Sequence, residues 1–281
     1  MRLRAMQSLA SRLHPASSWR HAGDLAWAAM SAGDPEQCPT AVWRENDRVV
    51  GWGWLEGPGE LTLQVDPGYP AVADEVLDWA EKASGTGEIS TTISDGETHL
   101  AEALRSKGYG AAADGPFFVH LGHELTDLPP VPELPEGYAV QRCDDANVAT
   151  RAAAHRAAWS YWKSAYSEQQ HAVLRALWPY KSDFDLMAIA PDGTPAAYYQ
   201  GWYDEESRVG LFEPVGTHPE HRRLGLSRTL GTALMHAFAD AGGRMAVVNP
   251  RGDDAYTVAR LTYEAIGFKA FGRTTTYTKQ L

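Results

Sequence analysis

The sequence has few cysteines and no long apolar run. Its 281 residues include only Cys38 and Cys143, too few for a disulfide framework or a cysteine-based zinc site. No segment has the uninterrupted apolar length that a membrane-spanning helix needs. We therefore expect a reducing, cytoplasmic setting and no membrane partner.

Positive charge is also scarce. Lys and Arg number 25 against 36 Asp and Glu, which gives a formal net charge of -11. Non-specific nucleic-acid binding relies on an excess of Lys and Arg facing the phosphates, so no nucleic-acid partner is expected. The surplus of carboxylates favours a small cationic partner, although acidity also helps solubility.

The first twenty residues carry four arginines and no acid, which is a composition typical of transit peptides. Met6, Leu9 and Leu13 lie on one helical side, and the chain continues into a second helical segment. These features favour the first helix of the fold over a cleaved leader.

The length is comfortable for two domains, and the order of elements repeats. The stretch 65–69, Val-Asp-Pro-Gly-Tyr, parallels 217–221, Thr-His-Pro-Glu-His, and Gly108-Tyr109 parallels Gly267-Phe268. Four prolines between 126 and 137 indicate a semi-rigid spacer. The pattern predicts a domain at 1–127, a linker at 128–137 and a second domain at 138–281.

The stretch from Leu211 to Leu230 reads as a strand, a glycine-containing turn and a helix. The turn is a helix N-terminus, where free backbone N–H groups and the positive end of the dipole attract anions. Gly225 lets a ligand approach the backbone, and nearby arginines add charge. A polyanion such as a pyrophosphate fits this turn, although neither a P-loop nor a Rossmann fingerprint is present.

The segment 222–227, Arg-Arg-Leu-Gly-Leu-Ser, resembles the acetyl-CoA loop Gln/Arg-x-x-Gly-x-Gly/Ala of the GCN5-related N-acetyltransferases (GNAT). Downstream, 259–268 resembles the Ala-x-x-Leu-Tyr-x-x-x-Gly-Phe helix of that family. Two positions depart from the family pattern: Tyr256 stands where an Asn often contacts CoA, and Thr262 replaces the usual Leu.

The resemblance implies an α/β fold of two tandem GNAT-like domains, each a mixed, mostly antiparallel sheet flanked by helices. It also implies acetyl-CoA as cosubstrate and no metal. The first copy has Asp74 and Glu75 in the corresponding helical turn, where carboxylates would repel a pyrophosphate, so we expect one site per chain. The expected cofactor-binding residues are Val215, Gly216, Thr217, Arg222, Arg223, Leu224, Gly225, Leu226, Ser227 and Arg228.

Acetyl transfer to an amine needs a base, oxyanion donors and an acid for the leaving thiolate. Glu213 is the candidate base, with the acidic turn Asp204-Glu205-Glu206 as an alternative. The N–H groups near Val215 and Thr217 could bind the oxyanion. By the family resemblance, Tyr263 is the general acid.

Aromatic residues concentrate between the first helix and the third strand of the second domain. In the resembling family this region forms the acceptor wall, and aromatic faces can hold a cation. The alternative is that these rings only pack. The candidate substrate-binding residues are Trp159, Trp162, Tyr166 and Tyr199, with the acceptor expected between them and the acidic turn.

The sequence thus predicts an N-acetyltransferase that moves an acetyl group to a small cationic amine by direct attack in a ternary complex, working as a monomer or homodimer. Transfer of a longer acyl group and a non-catalytic CoA-binding sensor or scaffold are alternatives. Two histidines, His218 and His221, raise a metal-binding alternative that lacks a third His or Cys nearby.

Overall fold

The computed structural model describes residues 1–31 and 34–281, which divide into two compact units. The first unit contains Met1–Leu121, Asn249–Thr257 and Ala270–Leu281, and the second contains Gly122–Val248 and Val258–Lys269. The sequence predicts a second domain over 138–281, which would contain the last strand. The structure instead places that strand, residues Ala270–Leu281, in the first unit. The physical reason is long-range pairing, because that strand forms a ladder with a strand of the first unit.

The first unit is an open sheet with helices packed on it. The sheet has the order β1-β2-β3-β4-β12, with β3 and β4 parallel and the other neighbours antiparallel; the short β5 also pairs with β12. Its elements are α1 (Arg2–Leu13), α2 (Ala22–Ser31), β1 (Thr40–Glu45), β2 (Arg48–Gly57), β3 (Glu60–Val65), α3 (Val72–Ala83), β4 (Glu88–Ser94), α4 (Thr98–Ser106), β5 (Gly110–Ala111) and β12 (Lys269–Gln280). The next strand, β6 (Val119–Glu124), spans the division between the units.

Apolar spacing in the sequence predicts a helix over 72–83 and a strand over 88–94, and the structure confirms both ends of these elements as α3 and β4. Alternation in β3 explains its core, since Leu61, Leu63 and Val65 point to one face and join a cluster with Val76 and Leu77 of α3. The apolar face of each element therefore fixes which side of the sheet α3 covers.

The second unit repeats this plan. Its sheet has the order β7-β8-β9-β10-β11, antiparallel except for the parallel pair β10 and β11. Its elements are β7 (Ala139–Arg142), α5 (Val148–Ala158), α6 (Glu168–Arg175), β8 (Asp185–Ile189), β9 (Pro195–Asp204), β10 (Val209–Thr217), α7 (Leu226–Asp240), β11 (Met245–Val248) and α8 (Val258–Glu264). In the part of the chain that the structure describes, no helix combines the length and apolarity that crossing a bilayer requires.

The sequence predicts two helix caps: Asp144-Asp145 before a helix over 146–159, and a Ser-Glu-Gln-Gln capping sequence at 167–170. The Ser167 capping box of α6 is confirmed, because the Ser167 hydroxyl accepts from the Gln170 N–H at 3.1 Å and the Gln170 side chain accepts from the Ser167 N–H at 2.9 Å. The cap expected from Asp144-Asp145 on α5 is wrong. Asp144 instead accepts from the Ala146 N–H at 2.9 Å and stabilises the turn before the helix, which begins after Asn147.

Helix α7 approaches its sheet closely because glycines face it. A Cβ added to Gly210 of β10 would lie 2.1 Å from the Phe238 ring, and one added to Gly201 of β9 would lie 2.5 Å from it. Phe238 is fully buried and also packs on Phe184 and Phe212. Small residues on β9 and β10 therefore set the height of α7 above the strands.

We predict that Gly210→Ala lowers the free energy of unfolding by about 1–3 kcal/mol, because the added methyl group overpacks the core at Phe238. Denaturant titration measures the change. Gly87→Ala is the matched control, since no atom lies within 4 Å of its Cβ position. Equal stability of the two variants would show that α7 adjusts freely, contrary to this packing.

Candidate active site

The two parallel strands of the second unit part at their C-terminal ends. The β10–β11 register runs only from Val209↔Met245 to Leu211↔Val247, whereas β10 remains paired with β9 as far as Thr217↔Ala197. The β9 register also shifts between Phe212 and Val215. Clefts beyond the carboxyl ends of parallel strands are a common place for ligands in α/β sheets.

The segment between β10 and α7 bends through two left-handed residues. Arg223 has φ 64° and Gly225 has φ 81°, and Gly225 is the N-cap of α7. No atom lies within 4 Å of the Cβ position of Gly225, so the space above this backbone is open. A left-handed conformation with open space on its outer side favours glycine and allows a ligand to approach.

The first turn of α7 is arranged for an anion. No side chain caps it in the described structure and it contains no acidic residue, while Arg222, Arg223, Leu224, Gly225 and Arg228 are exposed. The free N–H groups, the helix dipole and the three guanidinium groups give the turn a positive potential. These residues were predicted to bind a cofactor, and that assignment stays a prediction that the geometry fits.

Ser227, in the same turn, is tied to β9. Its hydroxyl and the phenol of Tyr199 are 2.5 Å apart, and Tyr199 is fully buried. Burial raises the pKa of Tyr199 to about 12, so the phenol stays protonated. Tyr199 was predicted to contact substrate, whereas its hydroxyl in the structure meets the loop. The contact fixes the first turn of α7 against the sheet.

Tyr263 lies on α8 beside the end of the paired part of β10. Its ring is 4% exposed and packs 6.4 Å from the Phe212 ring and 6.0 Å from the Phe268 ring. Phe212 directly precedes Glu213, the candidate base, which is half-buried and whose carbonyl accepts from the Trp202 indole N–H at 2.6 Å. The fold thus brings both predicted catalytic residues to the place where β10 leaves β11.

The alternative base, the acidic turn 204–206, lies at the other end of the strand. Asp204 pairs with Val209 at the start of β10, while Gly216 pairs with Tyr198 near its end. Val209 and Gly216 are seven residues apart along β10, which corresponds to about 23 Å of strand. Asp204 is fully buried and accepts from the Ser207 hydroxyl at 2.8 Å. The expectation that one small acceptor touches both this turn and the aromatic wall is therefore wrong.

The aromatic wall meets β10 at Gly216. A Cβ at Gly216 would lie 2.6 Å from Ala158 and 3.3 Å from the Trp159 indole nitrogen, so α5 contacts the strand directly. Trp159 donates to the Tyr198 hydroxyl at 2.6 Å and packs 5.4 Å from Trp162, which is 53% exposed. Tyr166 is buried. Of the four predicted substrate residues, Trp159 and Trp162 are therefore the two with accessible surface.

Sequence reasoning missed a buried polar network behind this wall. Cys143, His171 and Asp185 are the one group in the described residues whose donor atoms could meet at a metal, all within 4.8 Å of one another. Cys143 Sγ is 3.1 Å and Asp185 Oδ2 is 3.3 Å from His171 Nε2. The other Asp185 oxygen accepts from Arg151 Nε at 2.5 Å. Arg151 supplies the positive charge that Asp185 needs, and the network joins α5, α6 and β8.

The protonation states in this network follow from burial and charge. Burial raises the pKa of the Cys143 thiol to about 12, so it is not a nucleophile at neutral pH. Burial would raise the pKa of Asp185, but the charge of Arg151 holds it below the usual value. Burial lowers the pKa of His171, which favours neutral imidazole. No sequence motif marks these residues, because they lie on separate elements.

The two histidines of the proposed metal alternative have other partners. His221 Nδ1 is 2.7 Å from the Tyr138 hydroxyl, and His218 Nδ1 accepts from the Glu220 N–H at 3.2 Å. Their rings pack edge to face at 5.2 Å. They shape the short helical turn that precedes the arginine loop.

The first unit has the same parting of strands with a different loop. Its parallel pair β3 and β4 is joined only at Glu60↔Ser90 and Leu61↔Thr91. After β3, Asp66 accepts from the Gly68 N–H at 3.0 Å, so a carboxylate occupies the turn before α3. His99 Nε2 lies 2.9 Å from the Val65 carbonyl oxygen. Tyr263 lies four residues before Gly267 in the second unit. The residue four before the equivalent Gly108 in the first unit is Leu104, which has no hydroxyl.

A family comparison agrees with this geometry. Residues 151–268 match the model of the acetyltransferase (GNAT) family. The chain therefore carries a GNAT acetyltransferase domain. The matched range contains every predicted site residue of the second unit, including the arginine loop and Tyr263. Comparison with curated proteins gave no match.

Solved structures share the fold of nearly the whole chain. They include a GCN5-related N-acetyltransferase from Sphaerobacter thermophilus (16% identity, TM-score 0.64, 99% of this chain and 90% of that one). A tandem GNAT protein from the clavulanic acid biosynthesis pathway, solved without AcCoA, is 19% identical (TM-score 0.65, 99% and 93%). A GNAT acetyltransferase from Colwellia psychrerythraea is 13% identical (TM-score 0.66, 99% and 97%). The tandem GNAT fold predicted from the sequence is confirmed.

The Tyr199–Ser227 contact generates a prediction for this GNAT domain. Tyr199→Phe should raise the dissociation constant for acetyl-CoA about threefold to tenfold, because the first turn of α7 loses a buried hydrogen bond that positions it. Turnover at saturating acetyl-CoA should change little. Calorimetry and steady-state kinetics measure the two quantities.

Tyr203→Phe, at the other end of β9, is the matched control for loss of a phenol. If Tyr199→Phe left cofactor affinity unchanged and raised the Michaelis constant of the acceptor, Tyr199 would belong to the acceptor wall instead.

Proposed function

We propose that the chain is an N-acetyltransferase that moves the acetyl group of acetyl-CoA to the amine of a small cationic molecule in a ternary complex. The observation that carries the proposal is the joint placement of three features at one strand end. These are the parting of β10 from β11, the arginine-flanked N-terminus of α7, and Tyr263 packed on Phe212. The GNAT family match supports acyl transfer in general.

In this proposal, the diphosphate of acetyl-CoA binds the first turn of α7. Backbone N–H groups of residues 224–227 donate to the phosphate oxygens, and Arg222, Arg223 and Arg228 neutralise their charge. The rest of the cofactor follows β10 past Thr217, Gly216 and Val215, where no β11 pairing continues. Its thioester then reaches the level of Glu213 and Tyr263.

The transfer itself forms one bond and breaks one. The neutral amine nitrogen attacks the thioester carbonyl carbon and forms the C–N bond of the amide, while the C–S bond breaks and CoA leaves as a thiolate. Glu213 takes the proton lost by the amine. The Tyr263 hydroxyl donates its proton to the departing thiolate, and solvent then returns a proton to the Tyr263 oxygen. Backbone N–H groups near Val215 and Thr217 donate to the oxyanion of the intermediate.

The acceptor site of the proposal lies at the end of α5. Trp159 contacts β10 beside Gly216, and Trp162 offers an exposed face next to it. Aromatic faces hold an ammonium group, and the net charge of -11 raises the local concentration of cations. Because the acidic turn 204–206 is remote, the proposal assigns the role of base to Glu213.

Three outcomes of one assay separate this function from its alternatives. Acetyl-CoA consumption with a panel of small amines supports the proposal. Preference for a longer acyl-CoA with the same amines indicates an acyltransferase of different chain length. Tight CoA binding without turnover on any amine indicates a sensor or scaffold.

We predict that the chain binds one acetyl-CoA, in its second unit. Asp66 in the turn after β3 and Asp74 and Glu75 in the first turn of α3 oppose a diphosphate there. The double variant Arg222→Glu, Gly225→Glu should lose binding, because it removes one cation and adds two carboxylates, one of them in the open space above the loop. Isothermal titration calorimetry gives both stoichiometry and affinity.

Lys82→Glu in α3 serves as a charge-change control and should bind normally. A stoichiometry near two, or normal binding by the double variant, would contradict the single-site proposal.

We also predict that Tyr263→Phe lowers turnover about a hundredfold or more while acetyl-CoA affinity is nearly unchanged. The hydroxyl donates its proton only as the C–S bond breaks, so its loss affects the transition state and not the ground state. Single-turnover kinetics and calorimetry measure the two effects. Wild-type turnover by this variant would assign the role to another residue, and Tyr256 would be tested next.

A further inference from the structure

The buried polar network behind the aromatic wall contains four side chains whose polar atoms converge. Cys143 directly follows β7, and its backbone N–H donates to the Asp185 carbonyl oxygen at 2.8 Å, so the pairing of β7 with β8 brings these two residues together. His171 of α6 lies against both, with its Nε2 3.1 Å from Cys143 Sγ and 3.3 Å from Asp185 Oδ2. The Tyr180 hydroxyl is 3.2 Å from the same carboxylate oxygen and also hydrogen-bonds to Cys143.

The spacing of these atoms is close to that of a tetrahedral metal site. Zinc bonds of about 2.0–2.3 Å at tetrahedral angles place neighbouring ligand atoms about 3.3–3.7 Å apart. The three separations of 3.1, 3.2 and 3.3 Å need to widen by less than about 0.6 Å to reach these values. The sulfur, nitrogen and carboxylate atoms all lie within 4.8 Å of one another, so a single ion can contact them together.

Two of these side chains are also held from outside the group. The second oxygen of Asp185 accepts from Arg151 Nε at 2.5 Å, which leaves Oδ2 for an ion. His171 Nδ1 is 3.1 Å from the Tyr166 hydroxyl, so Nδ1 can carry the ring proton and leave Nε2 as a ligand. Outer hydrogen bonds of this kind orient metal ligands. The Arg151 guanidinium carbon lies 3.9 Å from the centre of the Tyr198 ring, which helps to hold its charge in the interior.

The donor atoms indicate which ion fits. One thiolate sulfur, one imidazole nitrogen and two oxygens in tetrahedral array favour Zn²⁺, whereas Mg²⁺ and Ca²⁺ prefer about six or more oxygens. A mixed set of this kind needs only one cysteine. On binding, the Cys143 thiol proton leaves to solvent, and the thiolate and the Asp185 carboxylate balance the two charges of the ion. Tyr180 is half-buried and the other three side chains are fully buried, so the ion enters past Tyr180.

We propose that this group is a structural zinc site with the ligands Cys143, His171, Tyr180 and Asp185. Protein atoms fill all four positions, and closed sites of this kind stabilise a fold and take no part in a reaction. The ion ties α6 and the segment after it to the first two strands of the second unit. Asp185 pairs with Gln200 of β9, so β9 lies between the zinc site and β10. The inference is therefore independent of the proposed acetyl transfer.

The test uses Co²⁺ as a spectroscopic probe, because a cobalt–thiolate bond gives a charge-transfer band in the near ultraviolet that nitrogen and oxygen ligands do not give. The untagged full chain, stripped with a chelator under reducing conditions, should take up about one cobalt ion with this band. Equimolar zinc should displace the cobalt and remove the band. Cys143→Ser should lack the band, whereas Cys38→Ser, at the other cysteine, is the matched control and should keep it.

A second variant tests the outer hydrogen bonds. Tyr166→Phe removes the partner of His171 Nδ1 without changing a ligand, so it should weaken zinc binding about tenfold to hundredfold in competition with a chromophoric chelator. Zinc should also raise the melting temperature of the wild-type chain more than the same concentration of Mg²⁺, because an ion that binds the folded chain stabilises it.

The possible results are distinct. A wild-type cobalt spectrum without the sulfur band would overturn the proposal, and the four side chains would form a hydrogen-bonded core only. Loss of the band in Cys38→Ser, or loss of zinc in His218→Ala, would overturn it by placing the ion elsewhere. The wild-type spectrum decides the matter even if Cys143→Ser does not fold. A chain that binds zinc in this way but acetylates no amine would support the zinc site and contradict only the proposed function.

Discussion

The candidate active site depends on where the hydrogen-bonded ladder between β10 and β11 stops. After Leu211↔Val247 the two strands separate, while β9 continues to hold β10 as far as Thr217. The separation leaves one edge of β10 available along the stretch that carries Glu213 and Gly216. Tyr263 reaches the same stretch through its packing on Phe212. The sheet provides the rigid frame, and the interrupted pairing provides the space.

Helix α7 links the core to three parts of this site. Phe238 anchors the helix over Gly201 and Gly210. At the other end, Ser227 meets Tyr199 of β9, and the open N-terminus faces the arginine loop. Arg228, in the first turn of the helix, lines a cavity together with the linker residues Pro129, Pro130 and Pro132. A tightly packed helix is suited to this role, because an anion site built on backbone N–H groups is only as well oriented as the helix that carries it.

The two units show that fold and site are separable. Both contain a parallel strand pair that parts after two or three residue pairs, followed by a helix. In the first unit the turn holds Asp66 and the helix begins with Asp74 and Glu75, whereas in the second the turn holds Arg222 and Arg223 and the first turn of the helix holds Arg228. The GNAT fold is kept by apolar patterning, and the few loop residues determine the charge that a ligand meets.

Sequence alone determined the features that depend on neighbouring residues. Apolar spacing located α3 and β4 to the residue, and the Ser167 capping box located the start of α6. The segment 222–227 located the start of α7 and also carries the family resemblance. Tertiary structure decided what depends on residues far apart in the chain. It paired β12 with β4 from Thr274↔Ser94 onward, turned Tyr199 toward Ser227, and put the acidic turn at the far end of β10. Helix and turn preferences are set within a few residues, whereas pairing and burial depend on which distant segments meet and share a core.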